Sequence, residues 1–518
     1  MIARRIHVGA SDTIRTSRAL AALAGIVAAL AGFGGAELAA GLLPGAPSLL
    51  LAVGQTVIDL QPPGAKDVAV ALFGTNDKLA LEIVVVFVSL AIAAGLGILA
   101  RSHWALGSGG FAAFAALGFL AAVRAGSPAT VTVLPTLAAA GAAIAVLAWL
   151  IPDTARGGAA PMPDWDRRAF LLRTGGLAVA SVAAGVVGRR LLEGQRAAVA
   201  SVGSSLPPPT EIATLPDGAD LSVPGLTPIV VPNDDFYRID TALITPRIDV
   251  AGWQLRIHGM VDRETTLSFA ELAALPEFEQ YVTIACVSNE VGDRLVGNAK
   301  WTGVRLRDIL AMAGVQAGAT QLVGRSVDGW TAGMPTAWVM DPAREPMIAL
   351  RMNGEPLPME HGFPARLIVP GLYGYVSATK WLAELELTTL EAFDAFWVPR
   401  GWAKEAPILT QSRIDVPGYG TFVPPGRTAV AGVAWAPDRG ISRVEVQVDD
   451  GPWQTTTLSV PISDATWVQW RLAWDATPGR HQLAVRATDG DGVVQTADRT
   501  PPIPDGARGH HTIVVNVG

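Results

Sequence analysis

Tyr281-Val282-Thr283-Ile284-Ala285-Cys286-Val287-Ser288-Asn289-Glu290-Val291-Gly292 decides how the globular part of this 518-residue chain is read. Its β-branched and aromatic start predicts a strand over Gln280–Ala285. The polar, glycine-containing turn behind it places the Cys286 thiol at a sheet edge. Cys286 is the only cysteine, so no internal disulfide can form. A lone cysteine is commonly a small buried hydrophobe. The polar turn, with His361, Arg366 and Lys380 downstream as candidate anion contacts, is also compatible with a thiol nucleophile.

Outward from this stretch, residues 233–405 mix short strands with short helices. Trp253–Met260 predicts a strand, and Ser268–Leu275 and Leu306–Ala313 predict amphipathic helices. Without long βαβ periods the pattern predicts an α+β domain. The phosphate-loop lysine motif, G-x-S-x-G and H-E-x-x-H are absent, which removes the usual signals of nucleotide, serine-hydrolase and zinc-peptidase chemistry. Residues 406–518 turn all-β. Ile441–Val448 alternates Val444, Val446 and Val448 with polar residues, Asp450-Gly451 is a hairpin signal, and Trp467–Leu472, Leu483–Ala487 and His510–Val517 continue the meander. About seven short strands predict an immunoglobulin-like sandwich.

Composition separates the front of the chain from the rest. Mean hydropathy is +0.35 with only 16% charged residues. Residues 1–200 hold 15 Lys and Arg against 10 Asp and Glu; the remainder holds 24 against 36. The acidic remainder gives no electrostatic case for nucleic acid, and half of the chain being hydrophobic excludes disorder. Residues 1–155 carry four bilayer-length apolar stretches, Ala19–Leu43, Leu79–Ala100, Trp104–Val123 and Ala129–Ile151. Glu37 and Glu82 lie near stretch ends, where snorkelling to the interface is the plain reading. Arg4, Arg5, Arg15, Arg18, Arg101, Arg156, Arg167 and Arg168 all fall on the cytoplasmic side of a four-span layout with the N-terminus inside. The loop Pro44–Lys78 then lies outside.

Residues 156–200 hold Arg167-Arg168-Ala169-Phe170-Leu171 ahead of a weakly apolar Thr174–Gly188. This segment resembles a twin-arginine export signal; a plain fifth span is the alternative. Either places the chain beyond about residue 190 outside the cytoplasm. Ala198-Val199-Ala200 matches a peptidase site by composition alone. Residues 201–232, with Pro207-Pro208-Pro209, read as a linker.

Cys286-Val287-Ser288-Asn289, Gly297-Asn298-Ala299-Lys300-Trp301-Thr302-Gly303, Leu306-Arg307-Asp308-Ile309-Leu310, Met352-Asn353-Gly354-Glu355-Pro356, His361-Gly362-Phe363-Pro364-Ala365-Arg366 and Lys380-Trp381 together resemble the core of the sulfite oxidase family of molybdopterin enzymes. Asn233-Asp234-Asp235-Phe236-Tyr237-Arg238 is similar to the family's first cofactor-contacting segment. The resemblance covers residues 225–518. It implies a molybdenum-molybdopterin cofactor, with Cys286 as the protein ligand to the metal. It implies a pterin phosphate held by His361, Arg366 and Lys380, with Ser377 and Thr379 alongside, and a pterin lined by Asn233, Phe236, Tyr237, Arg238 and Ser326. Arg294, Lys300 and Trp330 are the candidate substrate-pocket residues. Two departures matter. Sulfite-oxidising members carry an arginine where this chain has Glu290, and often a histidine at Asp240. A small oxyanion, an S-oxide or an N-oxide therefore remain as substrate classes, in either direction of electron flow.

The resemblance further implies dimerisation through the C-terminal domain. Only His7 and His103 precede residue 200, and neither C-x-x-C-H nor a cysteine cluster occurs. The sequence thus predicts no haem and no iron–sulfur centre, and a separate electron carrier such as a quinone or a cytochrome. The alternative is a catalytically silent, membrane-anchored interaction module on the same fold.

Overall fold

The computed structural model describes the chain except residues 1–9, 44–45, 60–76, 125–126, 152–166, 198–205, 243–244 and 247. It divides into two units, Met1–Val199 with Thr241–Arg247, and Ala200–Asp240 with Ile248–Gly518.

The first unit is helical: α1 (Ala10–Leu42), α2 (Leu49–Asp59), α3 (Asp77–Ser102), α4 (Trp104–Arg124), α5 (Ala129–Leu150) and α6 (Arg167–Ala197). Five of these contain candidate membrane spans: Arg18–Leu42, Ile83–Ser102, Trp104–Arg124, Ala129–Leu150 and Phe170–Leu192. Four coincide with the stretches read from the sequence, and the fifth contains Thr174–Gly188. Helices suit such sequences because each satisfies its own backbone polar groups without water. Small residues let the helices approach closely: a Cβ added at Gly41 would lie 2.9 Å from the Gly188 Cα.

Two features of this unit differ from the sequence reading. The loop Pro44–Lys78 contains α2, whose Leu49 and Ala52 pack with Ala36, Ala121 and Ala122. Glu37 does not reach outward. Its residue is 8% exposed, and its carboxylate accepts a hydrogen bond from the buried Ser48 hydroxyl. Arg4, Arg5, residues 60–76 of the loop and Ala198-Val199-Ala200 lie outside the described residues.

The second unit is sheet-rich. Its first part contains β1 (Gln254–Gly259), β2 (Thr265–Ser268), α7 (Phe269–Ala273), β3 (Glu277–Ala285), β4 (Val296–Arg305), α8 (Leu306–Ala313), β5 (Gln321–Ser326), β6 (Thr331–Pro335) and α9 (Thr336–Val339). β7 (Met347–Met352), β8 (Glu355–Pro356), β9 (Arg366–Ile368), α10 (Gly374–Ser377) and β10 (Leu382–Thr388) complete it. One sheet runs β2-β1-β10-β5-β6, and β1 pairs with β10 in parallel. The other runs β3-β4-β7-β8, with β9 also on β7. α7 starts where the sequence puts it because Ser268 and Glu271 form a reciprocal capping box. β3 is an edge strand, so the residue after it stands at a sheet edge.

The second part has nine strands: β11 (Gln411–Val416), β12 (Phe422–Val423), β13 (Gly426–Trp435), β14 (Ile441–Val448), β15 (Gln454–Thr455), β16 (Thr457–Leu458), β17 (Val468–Ala476), β18 (Gly479–Asp489) and β19 (His511–Val517). They form two sheets, β11-β13-β17-β16 and β12-β19-β18-β14-β15. Val430 and Trp470 from the first sheet share a buried cluster with Val444, Val446 and Val485 from the second. Residues 206–232, read as a linker, are held along the body of the unit. Glu211 bridges to Phe278 and pairs with Arg305, and Val231 N–H donates to Asn298 O at 2.9 Å. Prolines remove donors from such a segment but leave every carbonyl free to accept.

Candidate functional site

Three short pieces of chain build an electropositive cradle. The turn Met359–His361, the start of β9 and the stretch after α10 bring the buried side chains of His361, Arg366 and Lys380 together. His361 Nε2 lies 3.0 Å from Asn233 O, and Arg366 Nη1 donates to His361 O at 3.1 Å. Lys380 Nζ donates to Asp240 Oδ2 at 3.0 Å, and Arg238 Nε donates to the same oxygen at 3.2 Å. Two cations therefore share one carboxylate, with the Arg366 guanidinium buried beside them.

The electrostatics show what this group lacks. Burial, then the neighbouring Arg366 charge, lowers the His361 pKa to about 4, so the ring is neutral at pH 7. Burial lowers Arg366 to about 10, against the opposing pull of Tyr237 and Asp240. Burial also lowers Lys380 to about 8, against the upward pull of Asp240. A set of cations whose charged forms are disfavoured by burial and by one another calls for an anion. His361 Nδ1 and Arg366 Nε are buried without a hydrogen-bond partner, and buried polar atoms are seldom left so. The residues fit a phosphate group: a guanidinium fork, an ammonium and a neutral imidazole with a free nitrogen.

The second half of the site is the thiol. Cys286 follows β3 directly, and its N–H donates to Leu295 O at 2.9 Å, just beyond the last Ala285–Val296 ladder pair. Its Sγ lies 2.9 Å from Ser288 Oγ, and the residue is 9% exposed. Tyr237 and Tyr373 both feel the Cys286 charge, which adds to burial in raising their phenol pKa values. Tyr237 also feels the Arg366 charge, which pulls its phenol pKa down against burial. Phe236 stacks on Tyr237 with centroids 5.2 Å apart and meets the His361 ring edge-on at 5.6 Å. Gly297 makes room for this stack: a Cβ there would sit 2.7 Å from the Phe236 ring.

The remaining sequence candidates fall into supporting and outlying positions. Asn233 bonds to Met352 O, Glu355 and Asn353, and so carries the carbonyl that holds His361. Ser377 Oγ donates to Leu372 O and Tyr373 O, each at 3.0 Å, and Thr379 is fully buried beside Gly324. Ser326 accepts from Asp328 N–H and its N–H donates to Trp330 O, closing the β5–β6 turn. That turn reaches the cradle's chain through Val327 N–H to Trp381 O at 2.9 Å, with Trp330 half-buried beside it. Arg294 is exposed in the turn after Cys286. Lys300 is not brought to the others. It pairs with Glu279 at 3.0 Å and lies opposite Tyr281, four ladder positions from Val296. The sequence reading missed Tyr373, Trp301 under the Arg366 guanidinium at 5.1 Å, and Asp240 as the carboxylate bridging two cations. A signal existed for Tyr373: it interrupts the glycine-rich Pro370-Gly371-Leu372-Tyr373-Gly374.

The C-terminal sheets steady the thiol's loop. Arg413 Nη1 donates to Asp293 O at 2.8 Å, and Thr283 exchanges bonds with Ala465 O and Trp467 N–H. Gly292 has φ +88°, and a Cβ there would lie 2.2 Å from the His511 ring. Only glycine accommodates both that backbone conformation and that contact.

The profile of the oxidoreductase molybdopterin binding domain matches residues 242–397. An uncharacterized oxidoreductase of Bacillus subtilis, YuiH, is 37% identical over 154 residues, 30% of this chain and 74% of that protein. Human mitochondrial sulfite oxidase is 29% identical over 322 residues, 53% of this chain and 58% of that protein. The chain belongs to the sulfite oxidase family of molybdopterin oxidoreductases. It spans less than two thirds of the length of the mammalian sulfite oxidases it matches. Among solved structures, the sulfane dehydrogenase SoxCD from Paracoccus pantotrophus aligns with 24% identity and a TM-score of 0.48, over 56% of this chain and 83% of that one. The family's cofactor is molybdenum-molybdopterin.

Proposed function

We propose that the chain is a membrane-anchored molybdenum oxidoreductase that exchanges an oxygen atom with a small S-oxide or N-oxide outside the cytoplasm. One observation carries the reading: His361 Nδ1 and Arg366 Nε are orphaned in a buried cation cradle, and Tyr237, stacked on Phe236, feels the charges of both Arg366 and the only thiol. His361, Arg366, Lys380 and Arg238 would hold the pterin phosphate, and Cys286 the molybdenum. When bound, the cofactor supplies two-electron oxygen-atom transfer, X=O + 2 e⁻ + 2 H⁺ → X + H₂O in the reducing direction.

The protein's own residues set the substrate class. Glu290 stands exposed four residues after the thiol, Asp240 consumes cationic charge, and Lys300 is committed to Glu279. A sulfite dianion would meet a carboxylate here; a neutral S-oxide would not. Ser288 lies within hydrogen-bond distance of the thiol, and the buried phenols of Tyr237 and Tyr373, which feel its charge, stay protonated at neutral pH. The C-terminal sheets serve as an immunoglobulin-like support, and a second copy can dock on them as in the family's dimers. Arginine placement supports an extracytoplasmic second unit, and Arg167-Arg168 supports a twin-arginine route.

The test is metal and pterin analysis of the full chain expressed in a cofactor-competent host, followed by single-turnover assays with sulfite, sulfoxides and N-oxides. About one molybdenum per chain, lost in Cys286→Ser, supports the reading. A folded, metal-free protein refutes it. A reporter fused after residue 200 and active only in the cytoplasm would refute the placement.

A further inference from the structure

The turn between β7 and β8 reaches the cradle through two asparagines. Asn353 sits in that turn at φ +54°, a left-handed conformation that asparagine adopts more readily than most residues. Its Nδ2 donates to Val231 O and to Asn233 Oδ1, each at 2.9 Å, and its Oδ1 accepts from Lys300 N–H at 2.9 Å. Asn233 in turn donates from Nδ2 to Met352 O and to Glu355 Oε2, each at 3.2 Å. One turn thus holds both ends of the Asn233 amide. The Asn233 main-chain carbonyl meets His361 Nε2 at 3.0 Å. A carbonyl only accepts, so the His361 proton belongs on Nε2, and a neutral ring then has a bare nitrogen at Nδ1. Nδ1 is buried without a hydrogen-bond partner. Burial opposes a second proton there, and so do the charges of Arg366 from β9, Lys380 from the stretch after α10 and Arg238 from the segment after Asn233. Asp240 is bonded to two of those cations, and burial keeps Tyr237 a neutral phenol.

We propose that Asn353 is a positioning residue for the cradle: its grip on Asn233 keeps the His361 proton on Nε2, so that Nδ1 stays bare in the apo protein and takes up one proton as a phosphate group binds. The tautomer follows from the contacts alone. The proton uptake rests on the cofactor reading above, because it needs the phosphate. The oxygens of a phosphate dianion are acceptors, and a bare nitrogen meets one only with a proton between them. The phosphate's charge offsets the three cations that oppose that proton, so the ring gains it when the anion arrives. Asn353 touches neither the ring nor the anion and acts only through Asn233.

The experiment uses the full apo chain in detergent micelles with its seven histidines labelled with nitrogen-15. His361→Gln assigns the His361 resonances, and the wild type should show a neutral Nε2–H ring at pH 7. Asn353→Gly suits the left-handed backbone and removes the grip; it should give a mixture of the two tautomers. Glu355→Ala cuts one exposed bond to Asn233, should shift the ring less in the same direction, and covers the case in which Asn353→Gly does not fold. Calorimetry of glycerol phosphate binding at pH 7, in two buffers of different ionisation enthalpy, then counts protons. A phosphate monoester, with a second pKa of about 6, is mostly dianion at this pH, so the wild type should take up about one proton per phosphate. Asn353→Gly should take up fewer, because the Nδ1–H tautomer donates without a new proton. A wild-type ring with its proton on Nδ1 or on both nitrogens, or a tautomer that neither variant changes, overturns the positioning role. Binding without proton uptake overturns the proton step. No phosphate binding by a wild type that shows the Nε2–H ring instead overturns the cradle as a phosphate site and leaves the positioning of His361 standing.

Discussion

The two ends of the candidate site are built on opposite plans. The cradle end is buried, and its cations outnumber the carboxylate bonded to them. The thiol end opens to solvent through the exposed Glu290 and Arg294. The difference separates two tasks. On the proposed reading a resident cofactor would offset the desolvation of the cradle, because its phosphate would stay in place and neutralise it. A passing substrate is better served by an exposed rim that can change charge without unfolding anything.

The largest expected effect comes from Cys286, the proposed metal ligand. Cys286→Ser should lower turnover beyond the roughly 10–100-fold typical of losing a partner in a metal's second shell. Molybdenum content, measured by mass spectrometry, separates a lost metal from a silent one. Arg366→Met attacks the other end. It removes a buried, anion-facing guanidinium and should cost about 2–5 kcal/mol of cofactor binding. Pterin released on dilution measures this, and retention equal to wild type would remove Arg366 from the phosphate site.

pH tests the cradle without mutation. Folding lowers the His361 and His511 pKa values to about 4 from 6.5. Between these values the unfolded chain binds protons that the folded chain refuses, so apo stability falls as pH drops through 6.5 towards 4. Folding lowers Lys380 from 10.5 to about 8. Apo stability should therefore rise as pH climbs from 8 to 10.5, while affinity for the phosphate declines as Lys380 discharges. Opposite slopes for apo melting and cofactor retention above pH 8 are the signature, and parallel slopes would break it. Asp240→Asn should move the decline to lower pH, because it removes the carboxylate that keeps Lys380 protonated.

The join between the thiol loop and the sandwich should yield a smaller effect. Gly292→Ala forces a Cβ against the His511 ring at a φ of +88° and should cost about 1–3 kcal/mol. Thermal melting reads the cost, and molybdenum content shows whether the loop still presents the thiol.

The same division governs how much of the molecule was legible in its sequence. His361, Arg366 and Lys380 were named together through the family resemblance, and the structure brings their buried side chains together from a turn, a short strand and the stretch after a short helix. The four charge-poor stretches and Ile441–Val448 were legible for a different reason, since length and periodicity alone specify them. Lys300 was not legible, because its partner Glu279 is fixed by a ladder register that sequence does not reveal. Asp240 meets Lys380 across 140 residues, and only the folded chain brings the two together. Glu37 was misplaced for want of Ser48, eleven residues away across a turn. Residues 206–232 lack periodicity because their partners, Phe278, Asn298 and Gln469, impose none.

The mildest test addresses the exposed end. Glu290→Arg changes the charge at a solvent-exposed position by two units and buries nothing, so stability should stay within about 0.5 kcal/mol. Its effect should appear in selectivity. The attraction of a dianion to an exposed cation is worth about 1 kcal/mol in water and is screened over about 10 Å at 0.1 M salt. The KM for sulfite should therefore fall several-fold relative to that for an uncharged sulfoxide, and the gain should fade as salt is added. A KM ratio that ignores both the substitution and the salt would take Glu290 out of the pocket wall. The choice between oxyanion and S-oxide would then pass to Arg294 and Asp240, and the contrast between a fixed cradle and an adjustable rim would lose its simplest support.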